Sequence, residues 1–342
     1  MLRALAIFIV LIAASAGSAA FWAYNWWQNH SLTLSNPVDF EIKDGATLQS
    51  VSNDLIKHKL ISGVPQLFEW GWRVTLAKAT VKAGDYRFEG TLTPAKIAHA
   101  LALGQTVTVT FTIPEGWNMY QIADRLEGVF PRFSKDKWIA AMKDPKLLST
   151  LPGQPATAEG FLFPETYTFN PRVTPHEVLT SLIQTFKKHM TVDLIGKGQA
   201  LNLNPLQIVI LASIIEKETG KAEERPHISS VFHNRMRIGM KLQTDPTVIY
   251  GIWQRYDGNI RKDDLRTPTP YNTYVIPGLP PGPIASPGIA SLKAAVAPID
   301  SKDLYFVGKG DGSHLFSTTL RDHQKGVYQF QIAPSKSGAA RN

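Results

Sequence analysis

From Asn204 to Gly220 the chain reads Asn-Pro-Leu-Gln-Ile-Val-Ile-Leu-Ala-Ser-Ile-Ile-Glu-Lys-Glu-Thr-Gly. Asn204 suits an N-cap, Pro205 the first helical position, and Gln207 completes a capping box. Ile208 to Ile215 is apolar almost all round, so this helix has no face for water and the rest of its domain must enclose it. Glu216, Lys217 and Glu218 then fall in its last turn, with Gly220 as the expected C-cap. Burial and the negative helix end both disfavour a charged carboxylate there, which suits a general acid. Glu218 continues the face of Leu211, Ile214 and Ile215, whereas Glu216 faces elsewhere. On the helix alone both acids remain candidates, and so does a plain reading of two solvated charges ending a core helix.

The chain has 342 residues, 44% of them hydrophobic, enough for more than one cored domain. Its net charge of +8 fits an anionic surface or polymer, and no Lys/Arg-rich block or motif points to nucleic acid. Cysteine is absent, which removes disulfides, thiol nucleophiles and thiolate metal sites. His227 and His233 lack a ligand spacing, so no metal or cofactor is expected.

Ala4 to Tyr24 carries no charge and as a helix spans roughly 30 Å, a bilayer core. Arg3 marks its cytoplasmic end, and Trp22, Tyr24, Trp26 and Trp27 form an interfacial aromatic belt at the other. A cleaved signal peptide is the competing reading, but the apolar run overshoots a signal core. The expected product is a single-pass cytoplasmic (inner) membrane protein with the remaining chain on the periplasmic side.

Past a connector (28–37), strands at 40–42, 84–88 and 107–113 alternate with helices at 47–58 and 94–102. Asp44-Gly45 through Leu55 is echoed by Glu115-Gly116 through Leu126, an acidic-Gly turn entering an amphipathic helix each time. Further helices are expected at 134–151, 175–189, 229–236 and 289–297, and a strand at 304–307. The proline-rich stretch 267–288 reads as a rigid extended loop. The expected class is α+β, divided as anchor (1–27), connector, LysM-like region (38–131), a larger second domain (132–332) and disordered tail (333–342).

Several segments carry clustered polar groups suited to a sugar. These are Glu165 and Tyr167 after an aromatic turn, Asn234 in a helix, Gln243-Thr244-Asp245 before Pro246, and Tyr271-Asn272 on the stiff loop. Core packing, helix capping and loop wrapping explain the same residues equally well.

The strand–turn–helix units at 38–131 resemble, in divergent form, the LysM-like domain of glycan-binding wall proteins. Further along, Glu-Gly-Phe-Leu-Phe-Pro-Glu-Thr-Tyr (159–167), Ala-Ser-Ile-Ile-Glu-Lys-Glu-Thr (212–219) and Val-Phe-His-Asn-Arg-Met (231–236) follow in order. Gly-Met-Lys-Leu-Gln-Thr-Asp-Pro-Thr-Val-Ile-Tyr-Gly (239–251), Tyr-Asn-Thr-Tyr (271–274), Gly-Leu-Pro-Pro-Gly-Pro-Ile (278–284), His314 and His323 complete the series. This combination resembles the endolytic murein transglycosylase (YceG-like) family. The resemblance implies a lyase that cuts the β-1,4 bond between N-acetylmuramic acid and N-acetylglucosamine within nascent peptidoglycan strands, leaving 1,6-anhydro ends and consuming no water. It maps the single catalytic acid onto Glu218, leaves Glu216 as an orienting or salt-bridging group, and makes peptidoglycan synthases expected neighbours. Two rivals stand beside it: a non-catalytic wall-binding scaffold, and a hydrolytic muramidase using Glu159, Glu165 or Glu216 as a second acid.

Overall fold

The computed structural model describes residues 2–333, with side chains from Leu5 onward. Arg3 at the membrane end and 334–342 of the expected tail lie outside the side chains and residues described. The chain divides into two units, Met1–Val109 with Thr168–Arg172, and Thr110–Tyr167 with Val173–Asn342.

The first unit runs α1 (Leu2–Asn29), β1 (Leu32–Thr33), β2 (Val38–Ile42), α2 (Leu48–Lys57), α3 (Pro65–Thr75), β3 (Gly84–Phe88), β4 (Thr91–Leu92) and α4 (Pro94–Leu103). β2 pairs antiparallel with β3, Val38 opposite Phe88 and Ile42 opposite Gly84. Strand alternation therefore turns Phe40, Ile42, Tyr86 and Phe88 into one core with Val51 and Leu55 of α2. Thr47 caps α2 through the Ser50 amide (3.1 Å).

Within α1, Leu5–Asn29 is long and apolar enough to cross a membrane, with mean hydropathy 2.2. The expected aromatic belt is only half present. Trp22 and Tyr24 are exposed, but Trp26 and Trp27 are buried in the core of the unit. The Trp27 ring lies against Gly71 of α3, where an added Cβ would meet it at 2.1 Å. An indole offered this close a seat buries more apolar surface there than at a membrane interface.

The second unit contains β5 (Val109–Thr112, begun in the first unit), α5 (Met119–Val129), α6 (Lys135–Ala141), α7 (Pro145–Leu148), β6 (Thr166–Phe169, which ends in the first unit), α8 (Pro175–His189), α9 (Val192–Ala200) and α10 (Pro205–Glu218). It continues with α11 (Arg225–Arg237), α12 (Asp245–Gly251), α13 (Lys262–Arg266), α14 (Ile289–Ala295), β7 (Tyr305–Gly308), β8 (His314–Ser317) and α15 (Leu320–Val327). The helix expected over 134–151 is two, because Pro145 cannot continue the first and instead starts the second behind the N-cap Asp144. Residues 110–131, grouped by sequence with the LysM-like region, pack with this unit. Both copies of the acidic-Gly echo are real turns, with Gly45 and Gly116 left-handed at φ 76° and 74°. The second copy is tied down by Gly116 N–H to Ser286 O (2.9 Å).

α10 is the axis of this unit, packed by α9, α11, α12 and α14. Ile208 to Ile215 are all buried, as their pattern demands. The proline-rich loop has no helix or strand and is pinned to the middle of α10 by Ile284 N–H donating to Ser213 Oγ (3.1 Å).

Candidate active site

Both halves of the Asn204–Gln207 capping box form, at 2.9 Å each. The far end differs from expectation. Thr219 ends α10 in extended backbone (φ −143°), and Gly220 takes no left-handed cap. The chain leaves sharply, so the last turn offers its side chains to three different neighbours.

Glu216 turns inward. Its side chain, 6% exposed, accepts from Arg225 Nη2 (3.0 Å) and from the Gly288 amide (3.0 Å). Lys217 reaches the Gly116 carbonyl (3.2 Å). Glu218 faces a cleft of about 420 Å³ and accepts a hydrogen bond from the Thr244 hydroxyl on Oε1.

Thr244 reaches Glu218 because the preceding backbone is bent. Gln243 is left-handed (φ 50°), a conformation that costs a non-glycine residue free energy and persists only where neighbours enforce it. Here Gln243 N–H donates to Thr273 O (3.2 Å) and Thr244 N–H to Thr273 Oγ1 (3.1 Å). Asp245 lines the same cleft and accepts from the Tyr274 hydroxyl (2.7 Å). Arg235 is buried beside them, donating to Leu304 O and Leu242 O (2.6 Å each), with its guanidinium over the Tyr305 ring.

Burial pushes the Glu218 carboxyl up to about 7. The Thr244 hydrogen bond opposes this, the Asp245 charge adds to it, and Arg235 opposes it. Glu218 is therefore protonated over a useful fraction of the population near neutrality, as a proton donor has to be. His323, stacked on Tyr305 in the same cleft, is held below its ordinary value by burial and by Arg235.

Of the residues singled out in the sequence, Glu218, Gln243, Thr244 and Asp245 come together here. His314 and His323 of the motif series also line this cleft, and the other candidate site residues lie elsewhere. Glu216 is the buried ion pair just described. Asn234 spends its amide on Ser301 O (2.9 Å) and Asp303 O (3.0 Å). Asn272 donates to Asp264 O, Leu265 O and Thr267 O, closing a loop as a cap would. Tyr167 is buried and donates to Phe163 O (2.8 Å), while Glu165 is exposed. Tyr271 packs against Tyr250, with ring centroids 4.7 Å apart, in a different cleft. Arg235, Tyr274 and Tyr305 line the site without having been proposed for it. The Tyr-Asn-Thr-Tyr segment held the signal for Tyr274, since successive loop residues point different ways.

His227 bonds Asp303 (2.8 Å) and His233 bonds Ala295 O (2.9 Å), so both tie elements together. Among the described residues no cluster of three or more His, Asp or Glu could hold a metal ion.

A second acid is also displaced. Glu159, 1% exposed, accepts from the amides of Met119 (2.9 Å) and Gly160 (3.3 Å) and from the Tyr250 hydroxyl, and burial pushes it up to about 7. A carboxyl raised above its usual 4.5 gives the folded chain more bound protons than the unfolded one between about pH 4.5 and 7. Its stabilising contribution is whole below about 4.5 and is lost as pH rises through about 7, on the order of 3 kcal/mol in all. We expect the melting temperature to fall between pH 5 and pH 8, and Glu159→Gln to flatten that fall by several degrees. An unchanged slope in the variant would exclude Glu159 as its source.

The YceG-like family profile matches residues 40–329. An endolytic murein transglycosylase of Bacillus subtilis is 31% identical over 311 residues, covering 84% of this chain and 83% of its own. One from Streptococcus pneumoniae is 25% identical over 95% of this chain, which spans only 65% of that relative's length. The crystal structure of a YceG-like protein from Listeria monocytogenes superposes with a TM-score of 0.59 at 31% identity, over 85% of this chain and 99% of that one. With its profile match across most of its length and a relative 31% identical over most of both chains, the chain belongs to the YceG-like family.

Proposed function

We propose that the chain is a membrane-anchored endolytic murein transglycosylase and that Glu218 is its catalytic acid and base. The observation that carries this reading is the one carboxyl raised to about 7 at the rigid end of a buried helix, open to a polar cleft. Protonated Glu218 gives its proton to the glycosidic oxygen as the sugar develops oxocarbenium character. The resulting carboxylate then takes the proton of the muramyl C6 hydroxyl, whose oxygen closes on C1. One bond breaks, one forms, the acid is regenerated and no water is consumed. A single tuned acid thus serves where a hydrolase needs two carboxylates. Thr244 orients the carboxyl, and Asp245, held by Tyr274, raises its proton affinity.

In this reading α1 crosses the cytoplasmic membrane with its N-terminus inside, and the chain that follows it faces the wall. The net charge of +8 suits an anionic wall polymer. The first unit holds glycan in the LysM manner, and synthases extending nascent strands are the neighbours.

Asp245 in the same cleft favours one rival, a hydrolase with Asp245 as second carboxylate. Digestion of purified glycan strands by the full-length chain, followed by mass analysis of the new ends, separates them. Anhydro ends are expected. Reducing muramyl ends, heavier by one water, would replace the lyase with the hydrolase. No cleavage at all would favour a binding scaffold.

A further inference from the structure

A second cleft in the same unit, about 710 Å³, is walled by Tyr120, Tyr250, Trp253 and Tyr271, with Lys143 and Arg255 at its rim. Tyr120 and Trp253 are nearly parallel, with ring planes 11° apart and centroids at 6.2 Å. Tyr250 leans on both Tyr120 (6.3 Å) and Tyr271 (4.7 Å). All four rings are half-buried, so each is held by packing while part of it stays open.

The floor of this cleft is fixed. Glu159 binds the Met119 amide, and so holds the first turn of α5, which carries Tyr120. It also accepts from Tyr250. Rigid Tyr and Trp side chains supply a large apolar face and a polar tip at low cost in conformational entropy.

This cleft and the Glu218 cleft share two elements. α12 begins at Asp245 in the one and ends at Gly251 in the other, a rise of about 9 Å. The loop 271–274 puts Tyr271 in the one and Tyr274 in the other. The same pair of elements thus presents two recognition surfaces, as a ligand made of repeated units would require.

We propose that the Tyr120–Trp253 cleft is a second glycan-binding site, which holds sugar units of the same strand remote from the bond cut at Glu218. The ligand chemistry follows from the walls. Pyranose rings have apolar C–H faces for the aromatic rings and hydroxyls for the tyrosine tips, and muramyl units free of peptide add a lactyl carboxylate for Lys143, Arg255 being already paired with Asp264 (2.7 Å). The inference rests on the lyase reading of the Glu218 cleft. It adds that cutting inside a strand requires a hold on the strand away from its reacting bond.

The test measures binding by the full-length chain in detergent micelles, carrying Glu218→Gln so that nothing turns over. The probes are long glycan strands stripped of peptide, the same strands with stem peptides, and a tetrasaccharide fragment. Trp253→Ala should weaken binding of long stripped strands about tenfold and leave the tetrasaccharide unchanged, while Trp253→Phe recovers most of the loss. Unaltered melting checks that the variants fold. Long-strand binding indifferent to Trp253, or an equal loss on the tetrasaccharide, would overturn the proposal. Dependence on Trp253 seen only with stem peptides would assign the cleft to peptide and also overturn it. Because binding is read without cleavage, failure of the parent chain to cut strands sinks the lyase reading alone.

Discussion

Glu218→Gln should abolish strand cleavage, with a fall in kcat of about 10³-fold or more, and leave the melting temperature within a few degrees of the parent. Glutamine keeps the shape and accepts the Thr244 hydrogen bond but has no proton to give at the glycosidic oxygen. In the parent chain, activity should decline on the alkaline side with an apparent pKa near 7, where Glu218 loses its proton. The neighbours move that limb in opposite senses. Thr244→Val removes a hydrogen bond that favours the charged form, so the limb shifts to higher pH. Asp245→Asn removes a like charge, so it shifts to lower pH. Retained cleavage by Glu218→Gln, or a limb that ignores both neighbours, would displace Glu218 from the role of proton donor.

The helix that carries Glu218 was legible because its signals are local. Asn204, Pro205 and Gln207 write its start, and an apolar run without a polar face writes its burial. Its partner was not legible in the same way. Thr244 meets Glu218 through a left-handed turn at Gln243 and two bonds to Thr273, contacts between segments far apart in the chain. Polar residue type likewise failed to separate ligand-facing from self-facing groups. Asn272 looked like a sugar contact, yet its amide is used on three backbone carbonyls, while Tyr274 two residues on lines the cleft. α3 escaped notice because Gly71 interrupts its pattern, and only the Trp27 ring packed over it explains that glycine. The misplaced aromatic belt has the same cause seen from the other side. A tryptophan near a membrane helix has the same composition whether it faces lipid headgroups or a protein core.

Arg225→Met should destabilise the chain by about 3–5 kcal/mol, the largest single cost we expect. Glu216 and Arg225 are both almost fully enclosed, at 6% and 9% side-chain exposure, and bond at 3.0 Å. Removing the guanidinium leaves a buried carboxylate whose remaining partner is the Gly288 amide, with Glu115, also near Arg225 at 3.8 Å, adding like charge. A charge stranded in that way costs far more than the intact pair contributes, because desolvation nearly cancels the attraction when both are present. The double variant Arg225→Met with Glu216→Leu should therefore recover most of the loss, and denaturant midpoints of the single and double variants measure the difference. A cost below about 1 kcal/mol for Arg225→Met would mean that Glu216 is not held as a buried ion. The comparison also separates the two acids of α10 by physics. Glu216 has a cation and an amide to stabilise its charge, so its loss acts on folding. The cation that acts on Glu218, two residues on, is Arg235, which is already committed to two carbonyls, so Glu218 holds its proton up to about pH 7 and its loss acts on chemistry.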